Sequence, residues 1–331
     1  MTKKKIVVIG GGTGSAVALS GLKNHSEIEL SAVVVVSDNG GSTGRLRDEF
    51  GFLPVGDLRQ CIAALATGEN EADIRRLLLY RFDQKSSLKG HNLGNLILTS
   101  LENMTGSASK AVEIASSIFR IEGTVLPISE DDVHLVIKYA DGSSLIGEKN
   151  LDDPAQGGKK ITQISLDREA KIYAKAKQAI IDADLLVLGP GDLYGSLLPN
   201  ALVTGFTEAL AANKQNGGKL AYVSNLMTHY AQTHQMTAND HLREIEKYCQ
   251  RQVDFVLINN QEIPIEIREI YEAANDHPVV DDLPNENNGR QYIKADLLST
   301  TMVKPTANDP LPRSLIRHHK QKLAKKLLEI L

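Results

Sequence analysis

Short apolar runs alternate with segments of helical periodicity along most of the chain. The β-branched run at residues 6–9 predicts a buried parallel strand, and the apolar residues Val17, Leu19 and Leu22 that follow it suit a helix. Further strands are predicted at residues 28–36, 184–188, 219–223 and 254–258, and further helices at residues 57–81, 93–101, 108–118 and 197–213. This alternation predicts an α/β fold with a Rossmann-like, doubly wound and mostly parallel sheet.

Two segments depart from that alternation. Between residues 121 and 166, short apolar runs are separated by Asp141-Gly142 and by a second glycine pair, which predicts a small antiparallel β insertion with a hairpin at Asp-Gly. Over residues 313–331, Ile316 and Leu323 begin a helical spacing of apolar residues that predicts an amphipathic C-terminal helix. We therefore expect one α/β domain over residues 1–331 that carries both additions.

The composition narrows the class of protein further. The 331 residues carry a net charge of −4, so no basic excess offsets a nucleic-acid backbone, and we expect no nucleic-acid partner. No apolar stretch is long enough to cross a bilayer, which predicts no stable membrane insertion. The two cysteines, Cys61 and Cys249, match no metal-binding or redox spacing and suit reduced thiols of a cytoplasmic protein.

The first predicted strand ends in a glycine-rich loop, Gly10-Gly11-Gly12-Thr13-Gly14. Glycines let the backbone turn sharply and bring its N–H groups against a bulky anion, and the start of the next helix adds its positive end. Neither standard fingerprint fits, because Val17 occupies the helix-packing position of a dinucleotide motif and no Lys follows the last glycine as in a P-loop. The loop therefore predicts phosphate binding by backbone groups rather than NAD binding.

A second glycine-rich loop follows the second predicted strand. Asp38 could ligate a cation that bridges phosphates or receive a proton, and Arg45 could pair with phosphate oxygens. Asp57 lies where a helix N-cap is expected, which explains it structurally, although a catalytic or metal-binding role suits it as well. The loop is Asp38-Asn39-Gly40-Gly41-Ser42-Thr43-Gly44-Arg45, in which Asn39, Gly40, Gly41 and Ser42 are further ligand-binding candidates.

Three more loops at predicted strand ends or helix starts complete the set of candidates. The loop at residues 90–95 places a histidine at a helix start, the loop at 189–196 offers backbone donors, and residues 224–228 suit reading of a base or sugar. Since ligands on such sheets bind beyond the carboxyl ends of the strands, one shared site is expected. The candidates are His91, Asn95, Gly189, Gly191, Asp192, Tyr194, Ser196, Asn225 and Met227.

Six of these motifs, taken in order, resemble one family over nearly the whole chain. Besides the two glycine-rich loops, they are Pro54-Val55-Gly56-Asp57-Leu58-Arg59, Gly90-His91-Asn92-Leu93-Gly94-Asn95, Gly189-Pro190-Gly191-Asp192-Leu193-Tyr194 and Asn225-Leu226-Met227-Thr228. The chain resembles the gluconeogenesis factors of the YvcK type, bacterial relatives of 2-phospho-L-lactate transferase (the CofD family). The resemblance implies a cytoplasmic, Rossmann-like protein that binds UDP-glucose or UDP-N-acetylglucosamine. It also implies a role in growth on gluconeogenic carbon sources and in cell shape.

The resemblance leaves a catalytic alternative open. The transferase relatives join a phospholactyl group to a deazaflavin with magnesium, which by analogy would place Asp38 and Asp57 near Mg²⁺ or phosphate. Asn39 stands where many relatives have a second acid, and the loop at His91 looks like the regulatory branch. We therefore expect a regulatory nucleotide-sugar-binding protein, with a magnesium-dependent transferase as the alternative. Its partner would be a second copy of the chain or a cell-envelope regulatory protein.

Overall fold

The computed structural model of the protein describes residues 2–83, 85, 87–284, 289–301 and 315–331. These residues form ten strands and eleven α-helices. The strands are β1 (Lys4–Gly10), β2 (Ile28–Val34), β3 (Thr124–Pro127), β4 (Leu135–Tyr139), β5 (Ser144–Ile146), β6 (Ile161–Leu166), β7 (Leu185–Leu188), β8 (Lys219–Val223), β9 (Phe255–Asn259) and β10 (Gln291–Ala295). The helices are α1 (Gly12–Leu22), α2 (Gly41–Phe50), α3 (Gly56–Leu65), α4 (Glu71–Leu79), α5 (Leu93–Thr105), α6 (Ala108–Ile118), α7 (Ala174–Asp182), α8 (Phe206–Gln215), α9 (Ala238–Cys249), α10 (Ile265–Glu272) and α11 (Lys320–Glu329).

Seven strands form the central sheet in the order β10-β9-β8-β7-β1-β2-β3, and every neighbouring pair is parallel. The predicted Rossmann-like, doubly wound sheet is therefore confirmed. From β1 the chain moves outward to β2 and β3, and it later returns to the other side of β1 to add β7. The strand order thus reverses between β1 and β7, and in such sheets ligands bind at the carboxyl ends beside this reversal.

Alternate residues of the central strands pack against opposite layers of helices. In β1, Val7 and Ile9 join one buried cluster while Ile6 and Val8 join the other, and all four are at most 2% exposed. Burial of each such side chain stabilises the fold by about 1.5–3 kcal/mol. A strand buried on both faces is continuously apolar, which is why its type could be predicted from the sequence.

The predicted antiparallel insertion is present, but its expected start at residue 121 is wrong. β4, β5 and β6 form an antiparallel three-stranded sheet, and Gly142, with φ +84°, lies in the loop that joins β4 to β5. The run at 124–127 instead pairs in parallel with β2 as the edge strand of the main sheet. The sequence pattern could not separate the two because both kinds of strand appear as short apolar runs.

Three predicted helices differ from what was expected. The segment at 57–81 forms two helices, α3 and α4, rather than one. The segment at 197–213 is not one helix, because a π-helical turn over Leu193–Leu197 and a 3₁₀ turn over Leu198–Leu202 precede α8. Gly205, with φ +97°, separates the 3₁₀ turn from α8. The C-terminal helix begins at Lys320, whereas residues 315–319 are not helical and 313–314 lie outside the described residues. Among the helices described, none is long and apolar enough to cross a membrane.

Candidate functional site

Two adjoining cavities lie at the carboxyl ends of β1 and β7, and they share Gly12, Thr13, Asp192 and Ser196. The first, named cavity A here, has a volume of about 160 Å³ and extends to residues 225–233 and to His318. The second, named cavity B, has a volume of about 340 Å³ and extends to the loops at 38–43 and 56–60 and to the β insertion. Motifs that are far apart in sequence therefore meet around one ridge, residues 12–13.

Glycines allow the loops around this ridge to touch. A Cβ atom on Gly14 would lie 1.7 Å from the carbonyl oxygen of Pro190, and one on Gly11 would lie 2.1 Å from Oδ2 of Asp57. Gly12 differs, since its φ is +64° and an added Cβ would stand 3.9 Å from Oδ1 of Asp57 and 4.0 Å from Oγ of Ser196. Gly11 and Gly14 thus permit close packing, whereas a side chain at Gly12 would enter the opening that both cavities share.

Helix α1 begins at this opening. Its N-cap residue is Gly11, and no described side chain caps the helix through a hydrogen bond. The first N–H groups of a helix have no partner within the helix, and its dipole favours a negative charge at that end. The opening is therefore suited to phosphate oxygens, as in other strand–glycine loop–helix sites.

Carboxylates dominate cavity B. Three of its acids were sequence candidates, namely Asp38, Asp57 and Asp192, and the β insertion adds Glu148, Asp152 and Asp153. Burial, followed by the negative charges of Asp38 and Asp152, raises the pKa of Glu148 well above its ordinary value. Cations also line the cavity, and they are Arg59, Arg81 and Lys149.

Asp38 and Asp57 both line cavity B near the start of α3, where an added Cβ on Gly56 would lie 2.9 Å from Oδ2 of Asp38. The N–H of Gly40 donates a 2.8 Å hydrogen bond to Oδ1 of Asp38, yet burial outweighs this bond and raises the pKa of Asp38. Asp57 is not the N-cap that the sequence predicts, because Val55 occupies the N-cap position of α3 and Asp57 lies in its first turn. A carboxylate in a first turn still interacts favourably with the helix dipole.

The other candidates of the second loop divide between cavity B and its surroundings. Gly40, Gly41 and Ser42 line cavity B, as does Asn95, whose Nδ2 donates to Oγ1 of Thr43 at 3.3 Å. Three further candidates, Asn39, Arg45 and His91, line neither cavity and instead contact neighbouring loops.

Each of these three side chains joins two loops. Oδ1 of Asn39 accepts a hydrogen bond from the N–H of Lys149 at 2.8 Å, so it contacts the β insertion. Arg45 donates to the carbonyl oxygen of Lys89 at 3.1 Å, and Nδ1 of His91 lies 3.3 Å from Oγ of Ser42. Burial, then the charge of Arg45, lowers the pKa of His91. These contacts position the loops that carry the cavity-lining residues.

The candidates after β7 and β8 gather at cavity A, with two exceptions. Gly191, Asn225 and Met227 line this cavity, and Nδ2 of Asn225 donates to the carbonyl oxygen of Gly191 at 2.9 Å. Tyr194 does not line either cavity, because its side chain is buried and its hydroxyl donates to Oε2 of Glu244 at 3.4 Å. Gly189 lies beneath the cavities, where an added Cβ would contact Ser15.

Gly10 resembles Gly189 in its position. It is the last residue of β1, and an added Cβ would lie 2.7 Å from Oγ of Ser15. It therefore shapes the start of the glycine loop and lines neither cavity.

Several lining residues were missed from the sequence. Glu148 and Arg81 reach cavity B from the β insertion and from the loop after α4, and Gln232 and His318 reach cavity A from segments without a motif. Each lies far along the chain from the glycine loops, so no local spacing connects it to them. Only the folded topology brings these side chains to the ridge.

The donor set of cavity B fits a hard cation. Mg²⁺ prefers oxygen ligands and is usually bound by one or two carboxylates together with phosphate oxygens and water. Within the described part of the chain, no three acidic, histidine or cysteine side chains already converge into a metal-binding group. Asp38 and Asp57 could therefore hold Mg²⁺ together with oxygens from water and a ligand, and its positive charge would reduce the repulsion among the clustered carboxylates.

The sheet order, the position of the glycine ridge and the paired cavities define a Rossmann-like α/β protein with its cavities at the strand-order reversal. Comparison with known proteins identifies the family. The model of the family described as 2-phospho-L-lactate transferase CofD matches residues 6–298. The chain belongs to this family.

Relatives of nearly the same length support this assignment. The gluconeogenesis factor of Bacillus subtilis is 35% identical over 333 residues, covering 99% of this chain and 98% of the relative. The gluconeogenesis factor of Halalkalibacterium halodurans is 37% identical over 284 residues, which is 85% of each chain. A crystal structure of a Bacillus halodurans protein superposes with a TM-score of 0.87 at 34% identity, covering 99% of this chain and 100% of that one.

Proposed function

We propose that the chain binds a nucleoside diphosphate conjugate, with a UDP-sugar such as UDP-glucose or UDP-N-acetylglucosamine as the favoured ligand. It would act as a cytoplasmic regulatory protein in growth on gluconeogenic carbon sources and in cell-shape maintenance. The relatives named gluconeogenesis factors support this metabolic role. The buried free thiols of Cys61 and Cys249 suit a reducing compartment.

The observation that carries the proposal is the position of Gly12 between the two cavities. The start of α1 offers backbone N–H groups there, and cavities A and B extend from it in two directions. A diphosphate at the ridge would place one end of the ligand in each cavity. Arg59, Arg81 and Lys149 line cavity B and would offset part of the phosphate charge.

Isothermal titration calorimetry with UDP-N-acetylglucosamine tests this proposal. Several charge-assisted bonds together with contacts to sugar and base support a Kd on the order of micromolar. Uridine is the control, since it lacks both the diphosphate and the glycosyl group and should bind at least about tenfold more weakly. Absence of heat with UDP-N-acetylglucosamine at millimolar concentration would contradict the proposal.

A magnesium-dependent transferase acting on a nucleotide diphosphate conjugate is the second candidate, and the acids of cavity B favour it. When bound, Mg²⁺ would neutralise phosphate charge. Asp38 and Asp57 would hold it and would activate an acceptor hydroxyl. Product formation that requires Mg²⁺ and is lost in a folded Asp57→Asn variant would support this candidate over simple binding.

A further inference from the structure

Side chains that line cavity A bury polar atoms without a hydrogen-bond partner among the described residues. They include Nδ1 of His229, Nε2 of His318 and Oε1 of Gln232, and His318 and Gln232 are the more deeply buried residues. The two residues are only 6% and 4% exposed, and both line the cavity. A buried polar atom without a partner costs free energy, so each of these atoms points to a ligand group.

The chemistry of its neighbours makes Nε2 of His318 an acceptor. The ring forms a hydrogen bond with the backbone of Ser224, whose carbonyl oxygen can only accept, so the nitrogen facing it carries the proton. Burial lowers the pKa of His318 to about 4, which keeps the ring neutral at pH 7. In a neutral imidazole the other nitrogen carries a lone pair. That nitrogen is Nε2, which has no described partner.

The orientation of Gln232 is fixed in the same way. Its Nε2 donates to Oδ1 of Asp152 at 3.2 Å, and a carboxylate oxygen is an acceptor, as an amide oxygen is. A flip of the amide would bring two acceptors together, so the NH₂ group must face Asp152. Oε1 is therefore the acceptor that has no described partner.

Resting on the proposed function, we propose that His318 and Gln232 determine specificity by accepting hydrogen bonds from hydroxyl groups of a sugar ring of the bound nucleotide. Two neutral acceptors disfavour phosphate, which is an anion and offers lone pairs of its own. The uracil edge has one N–H donor flanked by two carbonyl acceptors, so it matches two acceptors poorly. Sugar hydroxyls each supply a donor, and they come either from the ribose or from the glycosyl group.

Two variants of His318 separate recognition from a structural role. The amide nitrogen of His318→Asn can replace Nδ1 and keep the bond to Ser224, but this variant has no acceptor at the place of Nε2. His318→Gln reverses the pair, because its amide oxygen can reach the place of Nε2 while the bond to Ser224 is lost. If Nε2 accepts a hydrogen bond from the ligand, His318→Asn should bind UDP-N-acetylglucosamine about tenfold more weakly than wild type. The affinity of His318→Gln should stay within about threefold of the wild-type value.

Two smaller nucleotides show which sugar donates the hydrogen bonds. UDP lacks the glycosyl group, and 2′,3′-dideoxyuridine diphosphate also lacks the hydroxyls of the ribose. If the glycosyl group donates, UDP binds wild type and His318→Asn equally, whereas UDP-N-acetylglucosamine distinguishes them. If the ribose donates, UDP distinguishes them and 2′,3′-dideoxyuridine diphosphate does not. Loss of affinity in His318→Asn for both UDP and the dideoxy compound would assign the contact to uracil or to the diphosphate and overturn the inference.

Gln232→Met provides a second route if the His318 variants do not fold. It removes Oε1 and is expected to weaken binding of UDP-N-acetylglucosamine about tenfold, although it also removes the contact with Asp152. Unchanged affinity in Gln232→Met and in His318→Asn overturns the inference while leaving the proposed function intact. If wild type binds none of the three nucleotides, both the inference and the proposed function are overturned.

Discussion

Cavity A and cavity B share the ridge at Gly12 but present different chemistry. The wall of cavity A combines neutral groups such as Asn225, Gln232 and His318 with few charges. The wall of cavity B carries six carboxylates and three cationic side chains. A ligand that spans the ridge would therefore be recognised through neutral hydrogen bonds at one end and through charge at the other.

This difference shows why the carboxylates of cavity B need cations beside them if an anionic ligand is to bind. An anionic ligand beside six carboxylates is repelled unless cations intervene, and like charges at close range cost on the order of a few kcal/mol near a protein surface. Burial is the main cause of the raised pKa of Glu148, and the negative charges of Asp38 and Asp152 raise it further. Cavity A has no comparable cluster among its lining residues, so it can recognise a neutral group without a counter-ion.

The largest expected effect comes from filling the opening at Gly12 that the two cavities share. A valine at Gly12 would place its side chain between Asp57 and Ser196, where the phosphates are expected, so Gly12→Val should weaken binding of UDP-N-acetylglucosamine by at least about 100-fold. The φ of +64° adds strain of about 1–2 kcal/mol or more for a non-glycine residue. Calorimetry measures the affinity, and urea unfolding measures the stability that the strain removes.

Gly106→Val is the matched control for backbone strain. Gly106 has a φ of +67°, ends α5, and has open space around an added Cβ. It should lose similar stability while binding as wild type does. Full affinity in Gly12→Val would show that the ridge only shapes the fold and that the two cavities do not hold one ligand.

The sheet and the meeting of the glycine loops were predictable because both follow from local patterns. Continuous apolar runs such as 6–9 identify buried strands, and parallel strands bring the loops at their carboxyl ends to one edge. Which side chains line a cavity and which are buried in the core was not predictable. Tyr194 follows the glycines of its loop closely, yet it turns into the core, whereas Glu148 arrives from an insertion more than a hundred residues after the first glycine loop.

A second test asks whether charge repulsion distinguishes cavity B in the ligand-free protein. Glu148→Gln removes a carboxyl group among four aspartates and should increase the free energy of unfolding by about 2 kcal/mol at pH 8 without added metal. Urea unfolding measures the change, and addition of Mg²⁺ should narrow the difference from wild type. Glu69→Gln, at an exposed position, is the control and should change stability by less than about 0.5 kcal/mol.

An unchanged free energy of unfolding in Glu148→Gln would mean that the acids of cavity B are too well hydrated to repel one another. The contrast between the two cavities would then lie in composition only. A loss of stability would point instead to a supporting contact made by the carboxylate of Glu148.

The smallest expected effect concerns Glu102, which lines neither cavity and tests burial as a cause of a raised pKa. Burial raises its pKa from 4.5 to about 7, while the N–H of Leu53 donates to Oε1 at 3.3 Å. A carboxyl whose pKa is higher in the folded state binds more protons when folded, so stability falls as the pH rises from about 4.5 to 7.

Glu102→Gln keeps the acceptor for Leu53 and cannot ionise, so its stability should lack this decline. Between pH 5 and pH 8 the full shift corresponds to about 2.5 kcal/mol, and partial hydration of the ionised carboxyl reduces the expected gain of the variant over wild type to about 1 kcal/mol, as measured by urea unfolding at both values. Parallel pH profiles for the two proteins would show that Glu102 reaches water when it ionises. Burial alone would then be too weak a cause in this fold, and the raised pKa of Glu148 would have to come from the neighbouring carboxylates.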